Sequence, residues 1–385
     1  MSNAHQVPSR PLPRLLAEPA PRLTLLLAST QKEFRGGEVQ LWRLAIGFRD
    51  AGHRVLAYAR AGAPFVTRME ADGFETFSFA GRGIHPRTML DIRRRLKQDR
   101  PDVVYCNDSH SLTTLGIAGW GLDIGARVAA RRVSFPMRNA WQYRALSDLV
   151  VASSGIAADM ARAGGVPPDW LDVVYDGVPL ESPSASREEC RARLGLKPDQ
   201  FTLLSVAALS PEKGHSVMLA ALSLLVKEHP RLVWLCAGDG ALRRPLEDEA
   251  QRLGLGQHAR FLGQRGDVPD LMAAADLLIM SSFSEGLCTA AIEALHARLP
   301  IVSTTAGGLV EVVGLNEPHG PVAWMAAPGE PDSIAGAISQ ALSSPDESLR
   351  LAERGKERAG RLFTLKGMVD GHLIAFRRAA RRRCA

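Results

Sequence analysis

From residue 22 onward the chain alternates short apolar runs with segments long enough for a helix, and it does so in two series. The first holds LTLLLAS, RVLAYAR, DVVYC, ARVAA, DLVVAS and LDVVYDG; the second holds FTLLSVAAL, RLVWLCAG, ARFLG, DLLIMSS and PIVSTTAGG. Such nearly continuous apolar strands need cover on both faces, which helical crossovers supply, so each series predicts a parallel sheet between two layers of helix. Between the series lies DGVPLESPSASREE, rich in proline and serine, which reads as a linker. A chain of 385 residues is too long for one core and about right for two. The expected class is α/β: two Rossmann-like doubly wound parallel-sheet domains, 22–182 and 183–364, facing a deep interdomain cleft. After Pro331 the pattern is helical to the last residues.

Hydrophobic residues at 46% and charged residues at 23% suit a soluble globular protein, and no apolar run approaches the roughly 20 residues of a membrane span. Residues 1–21 are proline-rich without a continuous apolar stretch, so a flexible tail is expected there. The five cysteines are scattered with no CxxC pair, which fits a reducing cytoplasm and argues against a zinc site.

The net charge of +6 is concentrated in RTMLDIRRRLKQDR (87–100) and in the terminal FRRAARRRCA. One reading is a solvated helix face and a frayed tail; the other is adhesion to an anionic membrane surface or grip on an anionic acceptor. Nucleic acid is not expected, because aromatics are sparse and not interleaved with the basic runs.

SEGLCTAAIEAL (284–295) has apolar residues at helical spacing and two acids, Glu285 and Glu293. On a continuous helix they would stand about 12 Å apart in rise and roughly 80° in rotation, with the amides of Gly286 and Leu287 at the positive helix end between them. A diphosphate there would direct a sugar to Glu285 and a ribose to Glu293; plain dipole compensation and an ion pair would explain the same acids. In SPEKGHSVMLAAL, Ser210 reads as an N-cap and Pro211 as the first helical residue, so Lys213 places a cation where the dipole wants an anion. An anion beside Lys213 is expected, or a lysine that solvent tolerates.

Gly36 and Gly37 follow the first strand and open the first helix, where paired glycines let backbone approach a phosphate. They are not the GxGxxG fingerprint, which counts against a dehydrogenase. Gly307 and Gly308 end a strand of the second series, and the same two readings, phosphate approach or turn geometry, stand for them. His110 follows DVVYC, with Asp108 placed to cap the next helix; a neutral imidazole there suits hydrogen bonding to a hydroxyl, or a structural role. No Asp-x-Asp at a strand end and no His/Cys cluster has ligand spacing, so no metal is expected.

Together these residues closely resemble the retaining glycosyltransferases of family four, which have the GT-B fold. The likeness runs from about residue 22 to about 376 and is most specific from 201 to 313. SFSEGLCTAAIEAL matches the family's E-x7-E signature, which implies that Glu285 meets the donor sugar and Glu293 the ribose. ALSPEKGH matches its phosphate-binding segment and implies Lys213 on the diphosphate; RGGE resembles the glycine loop that closes over the phosphates, with Gly36 and Gly37. DVVYCNDSH resembles the strand end whose histidine contacts the sugar, which suggests His110.

The resemblance implies catalytic roles for His110, Glu285 and Lys213, and donor binding by Gly36, Gly37, Lys213, Gly286, Leu287 and Glu293. It also implies a last helix, 365–385, packed back on the first domain. Three positions depart from the pattern. Ala208 stands where many members have arginine, leaving Lys213, backbone amides or another arginine such as Arg265 for the diphosphate. Asp176 and Pro179 stand in VVYDGVP where the commoner pattern reads Asn-Gly-Val-Asp, and Asn107 replaces a histidine of some relatives.

The implied activity is metal-independent, cofactor-free transfer of a sugar from a nucleotide diphosphate sugar, with retained configuration. The acceptor would be a hydroxyl of a glycan or lipid-linked sugar, and the place the cytoplasm, peripheral at the inner face of the membrane with the Arg93–Arg95 region against it. Two rivals stand beside it: a non-catalytic sugar-nucleotide-binding scaffold, which Ala208 favours, and a sugar-nucleotide epimerase.

Overall fold

The computed structural model describes residues 22–80, 85–137 and 140–384; the expected tail, 1–21, lies outside them. The described chain divides into two compact units, one of residues 22–153, 157–174 and 365–384, the other of 154–156 and 175–364. The chain leaves the first unit after Val174, before the proline- and serine-rich stretch that had suggested a boundary near 182.

The first unit holds strands β1 (Thr24–Ser29), β2 (Arg54–Arg60), β3 (Glu75–Phe79), β4 (Val103–Cys106), β5 (Ala126–Arg131), β6 (Leu149–Ala152) and β7 (Leu171–Val173). All pair in parallel, in the order β3-β2-β1-β4-β5-β6-β7. Successive residues of β1 serve opposite faces, as the two-residue period of a strand requires. Leu25 and Leu27 enter a cluster with Phe48 and Phe376; Leu26 and Ala28 enter another with Ile92 and Leu96.

The helix Leu365–Cys384 belongs to this unit and puts Met368, Val369, Phe376, Ala379 and Ala380 into the first of those clusters. Phe376 is fully buried, so its loss to alanine should cost about 3–5 kcal/mol. The basic run on this helix is neither a frayed tail nor wholly open to a partner. Arg378 bonds Asp172 and the Asp169 carbonyl, Arg382 bonds the same carbonyl and lies 4.3 Å over the Trp170 ring, and Arg383 reaches Asp148 at 3.4 Å.

The second unit holds β8 (Phe201–Val206), β9 (Leu232–Ala237), β10 (Ala259–Gly263), β11 (Leu277–Met280), β12 (Ile301–Thr304) and β13 (Trp324–Ala326), all parallel, in the order β10-β9-β8-β11-β12-β13. This is the doubly wound order, in which direction reverses once along the sheet. One face packs on the helix Thr289–His296 through Ala291, Ile292 and Leu295, the other on His215–Leu225 through Met218, Leu219 and Leu222.

Candidate functional site

In a doubly wound sheet the connections on either side of the reversal leave toward opposite faces, and their loops frame a crevice at the carboxyl ends of the strands. In the second unit the reversal lies between β8 and β11. The chain leaving β8 makes a 3-10 turn, Pro211–Lys213, and a left-handed residue, Gly214 (φ 65°), before the helix His215–Leu225 begins. The helix expected to start at Pro211 therefore starts four residues later. Ser210 does not cap it: its hydroxyl donates to Glu212 Oε1 at 2.6 Å. Gly214 is required as glycine, since a Cβ there would stand 2.1 Å from the Ser281 carbonyl oxygen.

Residues 281–288, after β11, are not helical, and the helix begins at Thr289. Glu285 is therefore not on the helix of Glu293, as expected, but in the loop four residues ahead of it. Glu293 is the fifth helical residue and half-buried. Gly286 and Leu287 likewise precede the helix N-terminus, where Cys288 occupies the cap position without a side-chain hydrogen bond.

The two loops meet through one ion pair. Lys213 Nζ donates to both oxygens of Glu285 at 2.8 Å, and the Ser282 hydroxyl donates to Glu285 Oε1 at 2.7 Å. Glu285 is only 7% exposed, so its charge is stabilised by these contacts rather than by water. Burial works against the Lys213 ammonium, but the charge of Glu285 and its hydrogen bond outweigh that and hold the pKa above the ordinary lysine value. The anion that Lys213 called for is Glu285. An ammonium has three donors and two face Glu285.

Gly307 and Gly308 form the bed beneath this loop. Gly308 N donates to the Glu285 carbonyl at 2.9 Å, and a Cβ on Gly307 (φ 51°) or Gly308 would stand 2.2 Å from Glu285 O or 1.9 Å from Gly286 O. Their role here is close backbone packing against residues 285–287. Ser281 Oγ donates to the Lys213 carbonyl at 3.0 Å and Thr304 Oγ1 to the Ser282 carbonyl at 2.7 Å, so loops from β8, β11 and β12 are stitched together. Burial pushes the Cys288 thiol up to about 12, with Glu285 adding to the rise, so no thiolate nucleophile stands here.

The first unit repeats the arrangement at its own reversal, between β1 and β4. Gly36 and Gly37 open the helix Gly36–Asp50, with open space around the Gly36 Cα. Asn107 Nδ2 donates to the Gly37 carbonyl at 3.3 Å and to Glu38 Oε1 at 3.2 Å, while its Oδ1 accepts from Arg132 Nε at 2.8 Å. Asp108 caps the helix Ser109–Ala118 and also accepts from Thr30 N at 2.8 Å and Thr30 Oγ1 at 2.7 Å. His110 is exposed in the first turn of that helix.

Glu38 is buried, and burial raises its pKa first of all; Asp108 adds to the rise while Ser29 and Arg132 oppose it. Behind it, Arg132 Nη2 donates to Tyr105 Oη at 3.5 Å, and Tyr105 Oη lies 3.1 Å from His372 Nε2 on the last helix. His372 Nδ1 lies 2.8 Å from the Met368 carbonyl and must donate to it, so Nε2 accepts from the tyrosine.

Lys213, Glu285, Gly286 and Leu287 thus share one loop cluster in the second unit, and Gly36, Gly37 and His110 flank one reversal point in the first. Residues the sequence reading passed over are Glu38, Arg132, Ser282 and Thr304. Only Glu38 carried a local signal, as an acid directly after the glycines in a helix that turns out buried.

Two family profiles match this sequence: Glycosyltransferase Family 4 over residues 34–182 and Glycosyl transferases group 1 over residues 186–358. The chain belongs to the family-4 glycosyltransferases of GT-B fold. A D-inositol 3-phosphate glycosyltransferase of Streptomyces scabiei is 31% identical over 54% of this chain and 49% of its own length. A 2-deoxystreptamine glucosyltransferase of Streptomyces kanamyceticus is 28% identical over 59% and 60%. The chain thus spans about half to three fifths of the curated relatives it matches. Among solved structures, Anabaena Alr3699/HepE in complex with UDP and glucose superposes with a TM-score of 0.79 over 91% of this chain and 98% of that one, at 23% identity.

In this family-4 glycosyltransferase, Ala208 lends its carbonyl to His215. Burial lowers the His215 pKa and keeps the ring neutral, and Nε2 donates to Ala208 O at 3.1 Å. Arg265, the alternative to an arginine at 208, is held at the surface by Asp267 at 2.8 Å. Among the described residues no group of three His, Cys, Asp or Glu side chains is placed to hold a metal ion.

Proposed function

We propose that the chain transfers a sugar from a nucleoside diphosphate sugar to a hydroxyl of a glycan or lipid-linked acceptor, with retained configuration and without a metal ion. The observation that carries this reading is the pairing of half-buried Lys213 with buried Glu285 at the reversal point of the second sheet, seated on a glycine bed. A diphosphate would take up Lys213, while the freed oxygens of Glu285 would accept hydroxyls of the donor sugar. Glu293 would hold the ribose, the Gly286 and Leu287 amides and the Gly36–Gly37 loop would serve the phosphates, and His110 a sugar hydroxyl. HepE, which shares the fold, is described with UDP and with UDP-glucose, and this supports a nucleotide-sugar donor.

Chemically, the acceptor oxygen bonds the anomeric carbon as the bond from that carbon to the leaving phosphate oxygen breaks. The acceptor proton passes to that phosphate. Lys213 stabilises the negative charge that grows on the leaving group, where preorganised charge contributes most. The reading puts the reaction in the cytoplasm, in keeping with four free and buried cysteines, Cys106, Cys190, Cys236 and Cys288.

The test is calorimetric titration of wild type and Glu293→Ala with UDP, GDP and ADP. Binding of one nucleotide, weakened about ten-fold or more in the variant, is expected for a lost pair of ribose hydrogen bonds. No binding across the three would overturn the reading, and binding without turnover on any sugar conjugate would leave a scaffold.

A further inference from the structure

Phe283 is the one apolar residue of SSFSE (281–285), the stretch of loop that ends at Glu285, and it is 47% exposed. The other large apolar residues of the two loops that meet at the ion pair, Leu209 and Leu287, are buried. A ring free to move would turn such surface away from water. Phe283 is fixed instead: its amide donates to the Glu212 carbonyl at 2.8 Å, and a left-handed glycine lies against each edge of its ring. A Cβ on Gly329 (φ 80°) would stand 3.1 Å from Cε1, and one on Gly214 (φ 65°) 3.5 Å from Cε2. The rest of the ring is a rigid apolar surface open to solvent.

Its neighbours are those of the ion pair. Ser282, adjacent in the chain, donates to Glu285 Oε1 at 2.7 Å, while Glu212 and Gly214, which meet Phe283, flank Lys213. In the transfer proposed above, the acceptor's proton passes to the leaving phosphate, so the acceptor must approach from the side on which that phosphate departs. Its ring then lies beside the anion that Lys213 holds, within reach of the loop of Phe283. A pyranose presents a face of C–H bonds and a rim of hydroxyls. The face gains by leaving water against an aromatic ring, and the rim keeps its hydrogen bonds. A nucleobase belongs elsewhere: it lies beyond the ribose assigned to Glu293, at the opposite end of the diphosphate from the transferred sugar.

We propose that the open surface of the Phe283 ring is a stacking platform for a pyranose ring of the acceptor. The proposal rests on the glycosyl transfer read above and narrows its acceptor to one that offers a sugar face next to the reacting hydroxyl. The second unit then supplies a specificity-determining contact with the acceptor, from the same loop that carries Glu285.

Saturation-transfer NMR of the full chain with the methyl glycosides of glucose, galactose, mannose and N-acetylglucosamine, and with octyl glucoside, tests this with and without UDP. Saturation of the protein's aromatic protons should reach the C–H protons on one ring face of at least one methyl glycoside. Phe283→Ala should weaken that glycoside's binding by about five- to ten-fold, the worth of one aromatic contact, and Phe283→Trp should retain it. Calorimetric UDP affinity and the thermal midpoint should be unchanged in both variants. No transfer to any methyl glycoside, transfer undiminished in Phe283→Ala, or transfer confined to the alkyl chain of octyl glucoside would each overturn the proposal. So would loss of UDP affinity in Phe283→Ala, which would give the ring to the donor. Failure of wild type to bind UDP, GDP or ADP would count against the glycosyl-transfer reading, while the spectra taken without nucleotide still read the stacking by itself.

Discussion

The ammonium of Lys213 meets both carboxylate oxygens of Glu285 at 2.8 Å across 72 residues of sequence. Removing one partner leaves a largely buried charge alone, which costs more than removing both. Lys213→Ala should lose about 2–4 kcal/mol of stability in urea titrations. With Lys213→Met and Glu285→Leu as the single variants, the double variant should fall short of their sum by at least about 1 kcal/mol. Because the Lys213 pKa is raised in the folded state, the pair's contribution should be present at neutral pH and fall away as pH rises past the ordinary lysine value of 10.5. Turnover of Lys213→Ala should drop by about 100-fold or more if the ammonium faces the leaving group. Additive single effects in the cycle would mean that the two residues do not support each other.

Gly308→Ala puts a methyl group 1.9 Å from the Gly286 carbonyl oxygen, so the loop that carries Glu285 must move. A stability loss of about 1–3 kcal/mol is expected, with weaker nucleotide binding by calorimetry. Gly336, on the exposed side of the helix Pro331–Ser343 with nothing near its Cα, is the contrast. Gly336→Ala should gain about 0.5–1 kcal/mol and bind as wild type. Equal effects at both glycines would remove the close-packing argument.

His372 is fully enclosed, and burial, with Arg132 assisting and the Met368 carbonyl opposing, pushes its pKa down from 6.5 to about 3. Unfolded chains take up a proton near 6.5 that the folded chain refuses, so stability is intact above that pH and falls as pH drops from 6.5 toward 3. Thermal midpoints of wild type should fall more steeply through this window than those of His372→Leu. Parallel curves would mean that the imidazole titrates normally.

Asn107 donates to both the Gly37 carbonyl and Glu38 Oε1. Asn107→Asp replaces those donors by a second carboxylate, with an expected loss of about 1–3 kcal/mol near neutral pH. The Glu38 pKa is already raised by burial, and protonated Glu38 can donate to the new aspartate. The loss should therefore shrink as pH falls through the Glu38 titration, which paired denaturation curves at several pH values would measure. A pH-independent loss would place the effect elsewhere.

Much of the architecture could be read from local pattern. Eleven apolar runs of the sequence contain eleven of the thirteen strands, and the two that were passed over, β3 and β13, are both edge strands. An edge strand needs little apolar character: β3 reads ETFSF with its first residue exposed, and β13 is three residues long. Helix starts were less legible, because a left-handed Gly214 and a packed loop at 285–287 interrupt apolar spacing that continues across them. Least legible were contacts made over long separations: Lys213 with Glu285, Arg132 with Asn107, Arg378 with Asp172. Periodicity describes which side of an element is covered and says nothing of what covers it.

The helix Leu365–Cys384 completes the hydrophobic cluster of the first unit, while residues 175–364 build the second. During synthesis the second unit therefore has every residue it needs before the first has its own. The cluster that holds Leu25, Leu27 and Phe48 stays incomplete until Met368 and Phe376 have been synthesised. The unit that begins the chain is thus the last to be complete, and a chain cut short before residue 365 would carry every residue of the second unit beside a first one that lacks part of its hydrophobic cluster.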